Sequence, residues 1–248
     1  MGENGPRGSA QALLRLSAEA SKTSSELEPR GSRLYGRSRG KTLRRDARER
    51  LQRLLPLLEL NEEDAAAPAA LFKKQTSDLW LEIGFGGGEH LVGQAAARPD
   101  VGFIGCEPFL NGVAKALSLV ETLNLDNVRI FRGDALRLIA RLPDASLGRL
   151  FVLFPDPWPK RRHNKRRVIS EGSLAEFARA LSAGAELRFA TDVDDYAGWT
   201  LARALRSTAF RWRETGWNEP WPDAPQTRYQ AKSLSHGRRP VYLTFERL

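Results

Sequence analysis

The sequence holds one cysteine, Cys106, in 248 residues, which excludes an internal disulfide framework. Its three histidines, His90, His163 and His236, stand too far apart for the spacing of a zinc site, so no metal is expected. No apolar run approaches the roughly 20 residues that a membrane-spanning helix needs. The start, MGENGPRGSAQALLRLS, lacks the continuous apolar stretch of a secretory signal, and Pro6 stands where a myristoylation pattern wants Ser or Thr. Secretion and membrane insertion are not expected, and the cytoplasm is the expected location. The dinucleotide fingerprint G-x-G-x-x-G is also absent. Counting from Gly84 and Gly86 puts Glu89 at the third glycine position, which argues against a nicotinamide cofactor.

What is present is enough apolar content, 41%, to supply a single buried core, and an excess of 39 Lys and Arg over 30 Asp and Glu. The excess is uneven. Residues 1–53 carry 13 basic and 6 acidic groups, residues 54–157 carry 9 and 14, and residues 158–248 carry 17 and 10. A polyanionic partner is the first expectation, with an acidic centre flanked by basic ends. Residues 1–40, rich in Gly, Ser, Arg and Glu, bury too little to offset their ordering entropy, so they are expected to be a disordered basic arm before a single domain over 41–248. This arm is either a solvated tail or a nonspecific phosphate contact. RRDARERLQRLLPLLEL then suggests a short amphipathic helix stopped near Pro56.

From residue 79 onward, short apolar runs alternate with helix-like stretches, the pattern of an α/β fold with a mostly parallel sheet and helices on both faces. Strands are expected at 79–83, 101–107, 127–132, 148–154, 185–191 and 240–246, and helices near 88–97, 111–124, 173–182 and 194–207. LEIGFGGGEH sets Gly84 and Gly86 between a strand and a helix, where missing side chains let backbone N–H groups approach a nucleoside-type ligand. Glu82, just ahead of the glycines, would repel a pyrophosphate and attract a cation, which favours S-adenosylmethionine over NAD. Glu107 ends the second strand where a carboxylate can accept from ribose hydroxyls. Asp134 follows the third, where it either meets an adenine amino group or caps a helix.

The fourth strand ends in FPDPWPKRRHNKRR. Pro155, Pro157 and Pro159 each fix φ and remove a donor, giving a stiff loop that holds Asp156 and Trp158 at the ligand edge. Trp158 either stacks on a base or covers the sheet end. Six cations among residues 160–167 follow beside the expected pocket, and phosphate contact with RNA or DNA is the favoured reading.

Taken with IGCEPF, GDA, ATDVDDYA, TRYQAKSLSHG and VYLTFER, these segments resemble the bacterial tRNA (guanine-N7-)-methyltransferases from about residue 78 to the end. The resemblance implies a seven-stranded Rossmann-like class I methyltransferase fold. It implies methyl transfer from S-adenosylmethionine to N7 of guanine 46 in the tRNA variable loop. It also implies that Glu82, Gly84, Gly86, Glu107, Asp134 and Asp156 form the cofactor site, with Asp156 catalytic, and that Lys160, Asp192, Thr227, Arg228, Tyr229 and Gln230 bind the guanine nucleotide. The family usually has Glu where Gln230 stands, so this chain keeps an acceptor oxygen there without the charge.

Overall fold

The computed structural model describes residues 40–214, 216–225 and 228–248. The expected basic arm therefore lies, apart from Gly40, outside the described residues. Helix α1 (Arg45–Leu58) buries Leu51 and Leu55, four residues apart on one face, against the start of the core. Burying two such side chains stabilises by roughly 1.5–3 kcal/mol each. The helix stops near Pro56 as expected, two residues beyond it, and Glu59 N–H still reaches the Leu55 carbonyl at 2.7 Å. Pro56 sits in the last turn, and the carbonyl it leaves without an N–H belongs to the exposed Gln52, which water can serve.

The remaining elements are β1 (Asp78–Ile83), α2 (Glu89–Ala97), β2 (Val101–Cys106), α3 (Leu110–Thr122), β3 (Val128–Phe131), α4 (Ala135–Ile139), β4 (Leu147–Leu153), a 3₁₀ turn at Arg161–Arg166, α5 (Glu171–Ala180), β5 (Leu181–Thr191), α6 (Asp194–Arg206), β6 (Phe210–Arg213), α7 (Arg228–Ser235) and β7 (Val241–Arg247). They build one seven-stranded sheet in the order β3-β2-β1-β4-β5-β7-β6. Strands β1 to β5 pair in parallel, whereas β7 runs antiparallel to both β5 and β6. This is the Rossmann-like class I methyltransferase topology, with helices over both faces. Two apolar clusters result. One holds Trp80, Phe103, Phe151 and the inner faces of α1 to α3, and the other packs α4 to α6 on the opposite face.

Six strands stand close to where the apolar runs place them. The seventh, β6, has the sequence FRWR and only Phe210 fully buried, so alternation with two exposed arginines hides it among loop-like residues. Helix α5 begins at Glu171 and not at 173, because Ser170 accepts from the Ser173 N–H at 3.1 Å and caps it. Neither α4 nor α7 is foreseen from periodicity; each has eight residues or fewer.

Candidate active site

Parallel strands carry every chain end of one kind to one rim, so the strand order converts separated acidic residues into a row. Across that rim stand, in order, Asp134 after β3, Glu107 after β2, Glu82 in β1, Asp156 after β4 and Asp192 after β5. The crevice at the reversal between β1 and β4 is where open α/β sheets take ligands.

Glu107 is buried, and both its oxygens are oriented by backbone: Oε2 accepts from Gly86 N–H at 2.8 Å and Oε1 from Phe109 N–H at 2.9 Å. Burial pushes its carboxyl above the usual range, while those two N–H bonds pull the other way. The glycine turn is held from below as well. A Cβ on Gly112, in the first turn of α3, would collide with the Gly86 carbonyl oxygen, so only glycine lets α3 approach this closely. Gly84, at φ +73°, has open space above it. A nucleoside fits this arrangement: a fixed carboxylate with lone pairs to spare beside a backbone turn with no side chain in the way.

Asp134 is the N-cap of α4, its Oδ1 accepting from Leu136 N–H at 3.0 Å, and burial raises its pKa against that bond. Capping uses one oxygen and leaves the other. Glu82 is more deeply enclosed, with a side chain 4% exposed, and its Oε2 lies 2.8 Å from His90 Nδ1. The direction of that bond follows from the next link. Gln94 Nε2, a donor only, lies 3.2 Å from His90 Nε2, which must then accept, so the imidazole proton is on Nδ1 and is donated to Glu82. Gln94 Nε2 also donates to the Asp223 carbonyl at 2.9 Å, and its Oε1 accepts from Arg98 at 2.6 Å. The carboxylate ahead of the glycines is thus the end of a buried polar chain.

Asp156 and Lys160 are exposed in the proline loop. Phe154 and Trp158, two residues before and after Asp156, have φ of +49° and +44°, a left-handed conformation that costs bulky side chains about 1–3 kcal/mol each. Strain of that size persists only where the surroundings over-determine the backbone. Phe154 N–H bonds Ala190 O at 2.7 Å, and Arg167 Nε bonds Pro157 O at 2.9 Å. Arg167 belongs to the run of six cations, yet its side chain has no exposure; it pairs with Asp195 and stacks between Tyr196 and Trp199. It is a strut of the loop and not part of a phosphate surface. The outward cations Lys160, Arg161, Arg162 and Lys165 remain exposed, while Arg166 stacks on Trp158 with 4.9 Å to the ring centroid. Burial first, then Arg166, Arg162, Lys160 and Lys165, depress the pKa of His163 among them, so it adds no charge to the strip at neutral pH.

Asp192 Oδ2 accepts from Ser233 Oγ at 2.8 Å and Arg238 at 2.7 Å, which ties β5's end to α7 and the residues after it. Arg228, at the other end of α7, pairs with Glu89 at the start of α2 beside the glycine turn. Helix α7 therefore bridges the rim from Glu89 to Asp192, and Gln230 lies on it. Thr227 and the side chain of Tyr229 lie outside the described residues. Unforeseen in the sequence are His90, Gln94 and Asp223. A signal existed: Arg149 and Arg188 interrupt otherwise apolar strands, GRLFVLF and AELRFAT, and such charges require a charged cover.

Among the described residues no helix is long and apolar enough to cross a membrane, and no group of three or more His, Cys, Asp or Glu could hold a metal ion. A concavity lies at the opposite ends of the strands, where Arg179 pairs with Asp144 and Arg206 with Glu171.

The sheet order, the glycine turn and the acidic rim define a class I methyltransferase. Residues 76–243 match a family model described as "Putative methyltransferase". The chain is 48% identical over 218 residues to the tRNA (guanine-N(7)-)-methyltransferase of Nitrobacter hamburgensis, covering 86% of each protein. It is 49% identical over 224 residues to that of Rhodospirillum rubrum, covering 87% of this chain and 88% of the relative. Against that of Azorhizobium caulinodans it is 48% identical over 227 residues, covering 90% and 98%. The chain belongs to the bacterial tRNA (guanine-N(7)-)-methyltransferase family.

Proposed function

We propose that this protein transfers a methyl group from S-adenosylmethionine to N7 of guanine 46 in the variable loop of tRNA, in the cytoplasm. The observation that carries the reading is the near-full-length identity to relatives of that name, joined to the row of acidic strand ends beside a cationic loop. S-adenosylmethionine, when bound, supplies a methyl group on a positively charged sulfur.

The chain's own residues supply position. Glu107, with two backbone N–H groups holding its carboxylate, is the acceptor for the ribose hydroxyls, and the free oxygen of Asp134 serves the adenine amino group. Glu82 gives this end of the pocket its negative charge from below the glycines, through its hydrogen bond with His90. Gly84, with open space where a side chain would stand, keeps the turn open, and Gly86 holds its φ of +56°. Guanine N7 carries an in-plane lone pair and no proton, so no general base is required, and alignment supplies most of the barrier lowering, of the order of several kcal/mol. Asp156 is then an orienting acceptor on an exposed and rigidly held loop.

Guanine presents N1–H and N2–H₂ as adjacent donors on the edge away from N7, and adenine has no such pair. Asp192 is the reader, with Oδ2 steadied by Ser233 and Arg238 and Oδ1 left to accept. A mispaired base leaves that carboxylate unsatisfied at a cost of about 1–3 kcal/mol. Lys160, Arg228 and the stretch Thr227 to Gln230 complete the nucleotide contacts, Gln230 through its amide oxygen. The deciding experiment incubates the protein with unmodified tRNA and labelled S-adenosylmethionine and maps the modified nucleotide. N7-methylguanine at position 46 is expected, and label on another base or none at all refutes the reading.

A further inference from the structure

The segment 217–225 has no helix or strand, yet it covers a sheet face where a helix would ordinarily lie. Strand register puts Trp80, Arg149, Phe151, Glu186 and Arg188 on that face. The segment crosses it as a strap. Trp217 O accepts from Tyr242 N–H at 2.7 Å, Trp221 Nε1 donates to Thr244 at 2.8 Å, and Arg188 lies over the Trp221 ring at 5.3 Å. Next comes Asp223, whose carboxylate meets three arginines: Arg188 of β5 at 2.6 Å, Arg149 of β4 at 3.1 Å and Arg98, just after α2, at 3.1 Å. Its backbone carbonyl takes the Gln94 amide at 2.9 Å. Beyond it Pro225 packs on Gly93, where a Cβ would come within 2.8 Å, and Arg228 reaches Glu89. The strap thus descends α2 from Arg98 to Glu89 and delivers the start of α7 to the glycine turn.

At Asp223, Gln94 of α2, Arg149 of β4 and Arg188 of β5 all grip this strap, and it lies five residues before Arg228. We propose that Asp223 is a positioning residue for the tRNA-binding stretch. Through Arg98, Arg149, Arg188 and Gln94 it fixes where α7 begins, and so where the residues that meet the guanine nucleotide stand. The proposal rests on the reading of that stretch as the nucleotide contact. The mechanical half, that α7 depends on Asp223, does not.

The test compares the full-length protein with Asp223→Asn and Gln94→Met. The first removes the charge that three arginines share, and the second leaves every ion pair in place while removing the amide's bonds to the Asp223 carbonyl, to His90 and from Arg98. Hydrogen exchange across Arg228–Ser235 in the ligand-free proteins needs no substrate. Protection there should fall about tenfold in Asp223→Asn, and less in Gln94→Met, with β1 to β4 unchanged. In methyl transfer, the KM for tRNA should rise about tenfold in Asp223→Asn with kcat altered less than twofold, and affinity for S-adenosylhomocysteine should be unchanged. A merely structural loss would instead lower kcat and the fraction of protein that binds S-adenosylhomocysteine, at constant KM. Unchanged protection of α7 in both variants, or an unchanged KM for tRNA in both, overturns the proposal. If the unmodified protein fails to methylate tRNA while α7 still loosens in Asp223→Asn, the functional reading falls and the clamp stands.

Discussion

At the scale of single residues, the site depends on which groups are exposed to act and which are enclosed to hold. Asp156 is exposed between two strained residues, so its removal takes away a contact without opening a cavity. Asp156→Ala should lower turnover by about 100-fold or more while shifting stability by no more than about 0.5 kcal/mol. Single-turnover methyl transfer alongside a thermal melt checks both halves. Arg167 is the opposite case, a cation with no exposed side chain that carries the Pro157 carbonyl. Arg167→Met should cost about 1–3 kcal/mol by leaving the Pro157 carbonyl without its donor, and the melting temperature reads it directly. Sequence could not separate these roles, since Arg167 and Arg162 are the same residue type in the same run. What separates them is that α6 presents Tyr196 and Trp199 under one and nothing under the other.

At the scale of elements, the fold was legible wherever a segment is buried on both sides. β1, β2 and β4 are near-continuous apolar runs because both of their faces are covered, by helices and, over Arg149, by the strap, and the acidic residues that end them are readable as a rim on that ground alone. β6, α7 and the strap were not legible, because β6 buries only Phe210 fully and polar partners hold α7 and much of the strap in place. The glycine turn lies between these cases. Gly84 and Gly86 stand out in sequence, whereas the need for glycine at 112 exists only where α3 meets the turn. Gly112→Ala should displace the Gly86 carbonyl, cost about 1–3 kcal/mol and weaken S-adenosylhomocysteine binding, measured by calorimetry. The strap carries its own pH signature. Burial raises the Asp223 carboxyl, but Arg188, with Arg149 and Arg98, outweighs it and holds the group below its ordinary 3.8. Its contribution is therefore fully present above 3.8 and lost as pH falls through the lower folded value. Trp fluorescence should report the strap loosening in acid, and Asp223→Asn should lack that part of the pH profile.

At the scale of the whole molecule, the described residues set acidic strand ends along one rim and the exposed cations Lys160, Arg161, Arg162 and Lys165 on the loop beside it. Reversing Arg161 and Arg162 to Glu should weaken tRNA binding and flatten its dependence on salt concentration, because fewer counterions are displaced. Filter binding across a salt series measures the slope, and an unchanged slope removes these two from the interface.

The position of β7 has a consequence for how the molecule comes into being. Although β7 is the last of the seven strands to be synthesised, it lies between β5 and β6, so β6 has no neighbour in the sheet until Val241–Arg247 has emerged. Arg238, which steadies Asp192, arrives in the same final stretch as β7, which seats Trp217 and Trp221. A nascent chain can therefore complete the rim of β1 to β4 well before β7 is in place, and a single cleavage ahead of Val241 would strip β5 and β6 of their shared neighbour while sparing β1 to β4.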